Sequence, residues 1–186
     1  MFRSPMALAA GLVVAACAAI VPSTAARLAS FDPLTADPAA IELVVILPPG
    51  LAVSPGSARL ELSAVRGTEH RNGSFQLADR AVAPGIEAPA GATTRGFAIA
   101  QADIARMRAL QAEIAGWKAT GAARGALALG IGGCAIGDGP APDAVGSVLI
   151  RVRKDGPYLP LIESGKLTDL LGPKVMTAIQ PCQAAE

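Results

Sequence analysis

The chain has 186 residues, a formal net charge of +1 and one histidine. This leaves no electrostatic footprint for nucleic acid and too few imidazoles for a zinc site of the usual kind. Hydrophobic residues make up 52% and aromatic residues only 3%, so the core must be built from Leu, Ile, Val and Ala, while 20 glycines and 15 prolines point to many turns between short strands.

Reading from the start, Arg3 precedes an unbroken apolar run from Met6 to Cys17. The run is shorter than the roughly 20 residues needed to span a bilayer, and its order fits the charged and apolar regions of an export signal. Val14-Ala15-Ala16-Cys17, directly at its end, resembles the lipobox of bacterial lipoprotein signal peptides. That resemblance covers only the first seventeen residues. It implies a signal peptide over 1–17, lipidation of Cys17, membrane attachment through the lipid and a place in the cell envelope facing the periplasm. Ala18, where an inner-membrane retention signal often has Asp, favours the outer membrane by the same resemblance. The other processing scheme is ordinary cleavage after Ser23-Thr24-Ala25 or Thr24-Ala25-Ala26, which removes Cys17 and yields a periplasmic or secreted soluble protein.

Either scheme disposes of one of the three cysteines and leaves Cys134 and Cys182. In an exported protein such a remainder reads as a disulfide. It would tie the C-terminus to a middle strand and close a loop of about fifty residues, for which chain entropy predicts roughly 4 kcal/mol.

Residues 18–37 are small, polar and interrupted by proline, and read as a flexible tether with a reach of roughly 25 Å. A single β-rich domain is expected over 38–186. Ile41–Leu47 (IELVVIL) is apolar on both faces and predicts a central or doubly covered strand. Pro48-Pro49-Gly50 ends it. Arg59–Val65 alternates as a half-buried strand, Asn72-Gly73 signals a hairpin turn, and Ser74–Ala78 follows with Phe75 and Leu77 inward. A loop is expected over Ala81–Arg95 and a short strand over Gly96–Ala100.

Gln101–Lys118 is the one convincing helix, with Ile104, Met107, Leu110, Ile114 and Trp117 in a sector about 140° wide. Trp117 reads as a packing aromatic, not as a ligand platform. Thr120-Gly121 supplies the stop. Ala126–Ala135 predicts a strand with a small-residue face that another backbone can approach. Gly146–Lys154 predicts a strand whose Arg151 and Arg153 face solvent or a sheet edge, with anion binding as the less favoured reading. After the turn Asp155-Gly156-Pro157, Tyr158–Ile162 is read as a short strand. Ser164–Leu171 is read as a short helix with Leu167, Leu170 and Leu171 inward, and a last helical turn carries Val175, Met176 and Ile179.

No catalytic, cofactor-binding or metal-ligating constellation emerges. His70, in TEHRNG, has no serine in G-x-S-x-G to serve. Gly165-Lys166 lacks the upstream glycine of a phosphate-binding loop. Asp138 and Asp143 lack the order of a calcium loop. A pair of carboxylates placed by the fold leaves no motif, and Glu69, Asp79 and Glu163 are the residues considered for one.

The expected architecture is mainly β, an antiparallel β-sandwich with one crossover helix at about 101–118 and short C-terminal helical turns. The alternative is an α+β domain with that helix packed on one antiparallel sheet. The expected function is that of a cell-envelope lipoprotein serving as a non-enzymatic binding or scaffolding module for an envelope protein partner. A hydrolase with a dispersed carboxylate site and a small-ligand or lipid carrier are the alternatives.

Overall fold

The computed structural model describes residues 36–121 and 123–183. The signal peptide, Cys17, the cleavage sites near residues 23–26 and the tether as far as residue 35 lie outside the described residues. The last tether residues, Ala36 and Asp37, are docked on the domain. Asp37 Oδ1 accepts from the Ala39 backbone N–H and from Arg108 Nη2, and the Ala36 carbonyl accepts from Gln111 Nε2 at 2.9 Å.

The described residues form a mainly β, antiparallel fold. After a 3-10 turn at Pro38–Ala40, the strands are β1 (Glu42–Leu47), β2 (Leu51–Val53), β3 (Arg59–Arg66), β4 (Glu69–Arg80) and β5 (Thr93–Ile99). Helix α1 (Gln101–Thr120) comes next. It is followed by β6 (Arg124–Gly130), β7 (Gly133–Ala135), β8 (Val145–Arg151), β9 (Leu159–Lys166), α2 (Leu167–Leu171) and α3 (Pro173–Ala178). A seven-stranded sheet runs in the order β6-β3-β4-β5-β1-β8-β9, and a two-stranded sheet pairs β2 with β7.

Strand β1 lies inside the large sheet between β5 and β8, and its first five residues are buried. This is the physical meaning of its two apolar faces. Ile41, Leu43 and Val45 join the main core with Leu60, Leu62, Phe75, Phe97 and Ile150, while Val44 and Ile46 are covered on the reverse side.

Helix α1 crosses from β5 to β6 over β4, as a crossover helix must when the strands it joins are separated by two others. Ile104, Met107, Ile114 and Trp117 form its buried stripe, as the periodicity predicts, and Gln111 is buried with them. Leu110 sits half-buried at the margin of the stripe. Trp117 is packed in the core, with the guanidiniums of Arg66 and Arg71 lying 4.6 and 4.7 Å from its ring centroid. The helix runs two residues past its expected end. Gly121 leaves it at φ 172, which is extended backbone, and Thr120 Oγ1 lies within hydrogen-bonding distance of the Gly116 and Trp117 carbonyls.

Four local expectations are corrected. The β3–β4 turn is at Gly67-Thr68, closed by the Arg66–Glu69 pair, because Gly67 takes φ +58 at the first central position of a two-residue hairpin loop. Asn72-Gly73 therefore lies in mid-strand, opposite Ser63 and Leu62. Gly73 serves packing there, since a Cβ would come within 2.8 Å of Leu110 Cδ2 and Phe75 Cζ. The run expected as one strand over 126–135 is split at Ile131-Gly132 between β6 and β7, which belong to different sheets. Strand β9 continues to Lys166, so the following helix has only five residues, with Leu167 buried and Leu171 exposed. Strand β8 is covered by β9 and is not an edge, and Arg151 on it is largely buried, whereas Arg153 is exposed.

Candidate functional site

The C-terminal third of the chain converges on a disulfide. Cys134, in β7, is bonded to Cys182 with a Cα–Cα distance of 4.8 Å. The tail around Cys182 lies beside β7. The Ala135 N–H donates to the Gln180 carbonyl and the Cys182 N–H donates to the Ala135 carbonyl, each at 2.8 Å. The small sheet thus gains a short parallel neighbour at Pro181. Helices α2 and α3 lie between β9 and this stapled tail, fixed at both ends.

Behind that staple is an apolar cavity of about 130 Å³. One wall is the end of β1, with Val45, Ile46 and Leu47; another is the small sheet and its approach, with Leu51, Val53, Ile131 and Gly133. Gly146 and Ile162 come from β8 and β9, and Leu167, Leu170 and Leu171 form the α2 side. Ser147 is the one lining residue with a polar side chain. Gly146 is required by close approach, because a Cβ there would sit 2.9 Å from Leu167 Cδ2. The β8–β9 register shifts on either side of Val148, an irregularity of the kind that re-aims strand residues beside sites. A dry apolar cavity of this size accommodates a group such as a single aromatic ring. The exposed side chain of Leu171 places one margin of the cavity at the surface.

A second feature lies on the other face of the large sheet. Glu42 is only 6% exposed, in the most hydrophobic strand of the protein. Its Oε1 forms an ion pair with Arg80 Nη2 at 3.1 Å, and its Oε2 accepts from Arg151 Nη2 and from the Tyr158 hydroxyl, the latter at 2.7 Å. The Arg151 guanidinium also lies 4.8 Å from the Tyr158 ring centroid. Burial pushes the Tyr158 phenol above its ordinary pKa, and its hydrogen bond to the Glu42 carboxylate and that group's negative charge push it the same way. The phenol is thus held as a donor. Removing Glu42 would leave the largely buried Arg151 without its carboxylate, the breaking of a buried pair that costs about 3–5 kcal/mol. Arg151 and Tyr158 also line a cleft of about 540 Å³ between residues 83–87 and the β8–β9 connection.

The carboxylates considered from the sequence are not brought together. Glu69 and Asp79 are at opposite ends of β4, about 33 Å apart at the strand rise, and pair with Arg66 and Arg95 respectively. Glu163 is exposed on β9. His70 is exposed in mid-hairpin, on a strand and not in a loop. Asp138 lines a proline-rich cleft with Pro48, Pro49 and Pro89, of which Asp143 is no part. Among the described residues no three His, Cys, Asp or Glu side chains are grouped to hold a metal ion. No helix among them is long and apolar enough to cross a membrane.

Neither the cavity nor the Glu42 cluster is visible to motif reading. The only local signal was a glutamate inside IELVVIL, where a charge is out of place unless paired. Comparison of the chain with protein-family models, with curated protein sequences and with solved structures returns no match.

Proposed function

We propose that this protein is an exported, lipid-anchored binding module of the bacterial cell envelope, without enzymatic chemistry, that captures an apolar group of an envelope component between its two sheets. The carrying observation is the cavity, lined by aliphatic side chains with Ser147 as the one polar member and flanked by a short helix ahead of the stapled tail. Concave apolar sites with few polar groups are where proteins take small ligands or a partner's anchoring side chain. The Cys134–Cys182 bond supports the exported half of the reading, since such bonds persist in oxidising compartments. The lipobox-like run ending at Cys17 supports attachment through lipid on a tether over residues 18–35, with the domain facing the periplasm and the outer membrane favoured. A lipid carrier is the narrower form of the same reading, with an acyl segment as the captured group.

Two measurements test it. Intact mass of the mature protein from membrane and soluble fractions should show a membrane species beginning at Cys17 with acyl mass; a soluble species beginning near Ala26 or Arg27 would overturn the anchor. Ligand-observed NMR with toluene should show binding that Ala52→Phe, at a cavity-lining position, weakens by about tenfold or more. Equal binding by both proteins, or none, would overturn the cavity as the functional site.

A further inference from the structure

The cleft beside Tyr158 carries a second proposal, independent of the apolar cavity. Glu42 has one negative charge but faces two guanidiniums, and both of its oxygens are already engaged. Arg80 is half-exposed and can spread its charge into water, whereas the Arg151 side chain is 19% exposed. A guanidinium carries five N–H donors in a fixed plane, and Arg151 meets Glu42 through Nη2. Arg151 Nε is fully buried and has no hydrogen-bond partner among the described residues. Native proteins rarely leave such a donor unmade, and each instance calls for an explanation.

That atom is shut off from solvent, so it is the remaining, partly exposed portion of the Arg151 side chain that lines the cleft beside Tyr158. Arg151 is held by Glu42 and by the Tyr158 ring, so its orientation is set before any ligand arrives. The cleft it lines is walled by Pro84, Ile86, Leu149 and Pro157, with the acidic Glu87 exposed on the loop that forms its far side. The surface of the cleft is more polar than apolar, with Glu87 on its far side, but Pro84, Ile86, Leu149 and Pro157 put apolar side chains beside the guanidinium, a combination that suits an organic anion carrying some apolar surface. A planar carboxylate matches the geometry of a guanidinium's paired N–H donors. We propose that this cleft binds the carboxylate of an apolar organic acid, with Arg151 as the receiving group and Glu42 and Tyr158 as the residues that position it.

Such a carboxylate could belong to a free acid or to the C-terminus of a peptide. The test is NMR titration of the full mature protein with 3-phenylpropanoate and with its neutral amide, and with a short peptide ending in phenylalanine as free acid and as amide. The acid forms should bind at least tenfold more tightly than the amides, and the tighter of the two acids identifies the source. Arg151→Gln should abolish the preference, but that change leaves Glu42 short of a partner and can impair folding. Ile86→Asp adds a charge on the opposite wall without touching Glu42, and should weaken acid binding at least tenfold while the melting temperature holds. Ala52→Phe, in the apolar cavity, should leave acid binding unchanged, which separates this site from the one proposed above. Equal binding of acids and amides, or acid binding insensitive to Ile86→Asp, would overturn the assignment.

Discussion

Replacing Cys134 and Cys182 together by alanine removes the covalent link between the small sheet and the C-terminal tail. The bridged residues are 48 apart in sequence. Loop-closure entropy for a loop of that length corresponds to about 4 kcal/mol at 25 °C. That is a large share of the about 5–15 kcal/mol that holds an ordinary domain folded. With a urea slope of about 2 kcal/mol per molar, the midpoint should fall by about 2 M at unchanged slope. The structure adds a regional expectation. Helix α3 has no buried residue, and the tail at 180–182 is held to β7 by two backbone hydrogen bonds apart from the disulfide. The amides of Ala135 and Met176 should therefore lose hydrogen-exchange protection well before those of β1. Urea denaturation followed by Trp117 fluorescence reports the global event, since that residue is the chain's one tryptophan and belongs to the main core. A midpoint shift below about 0.5 M, with Ala135 still protected, would refute the view that the staple carries this part of the fold.

Gly50 should be the least tolerant glycine. It sits at φ +81, and an added Cβ would overlap the Gly139 carbonyl oxygen and lie 2.8 Å from Pro140 N, both backbone atoms that cannot swing away. Gly50→Ala should cost at least about 2 kcal/mol in denaturant midpoint, combining backbone strain with overpacking, while Gly56→Ala, strained but in open space, should cost less. Asp103 predicts a pH dependence. The Gln76 backbone N–H and then the Arg106 guanidinium hold its carboxyl below the usual range. A lowered folded-state value means stabilisation present above the unfolded pKa of about 3.9 and lost as pH falls through the folded value. Asp103→Asn should therefore flatten the acid limb of a stability–pH curve below about pH 4 without altering its shape near pH 7; an unchanged limb would refute the assignment.

Several features were legible because they are local. Strand β1 declares its two buried faces in seven consecutive residues, and α1 declares its stripe through a period that only a helix satisfies. The pair Cys134 and Cys182 follows from counting cysteines in a chain that begins like an exported one. Strands β2 and β7 were not legible, since three residues each are too few for alternation to register; they exist because they pair with one another across some eighty residues of chain. The Asn72-Gly73 signal was a true local preference overridden from outside. Gly67 closes the hairpin five residues earlier, and Leu110 of α1 takes the space that a side chain at 73 would fill.

The candidate sites divide the same way. Residue types alone offered no motif-bearing constellation and pointed to a disulfide-bonded β domain. Only the tertiary structure decided where anything could bind. The cavity is assembled from separate stretches of chain, within 45–53, 131–133, 146–147 and 162–171, that only the two sheets and a short helix bring together. Glu42 and Arg151 meet because β1 pairs with β8 and sets those two residues opposite each other, across more than a hundred positions of chain. A sequence can announce that a side chain is apolar or charged, because that is a property of the residue; which side chains share a face is a property of strand register, and it exists only once the sheet has formed.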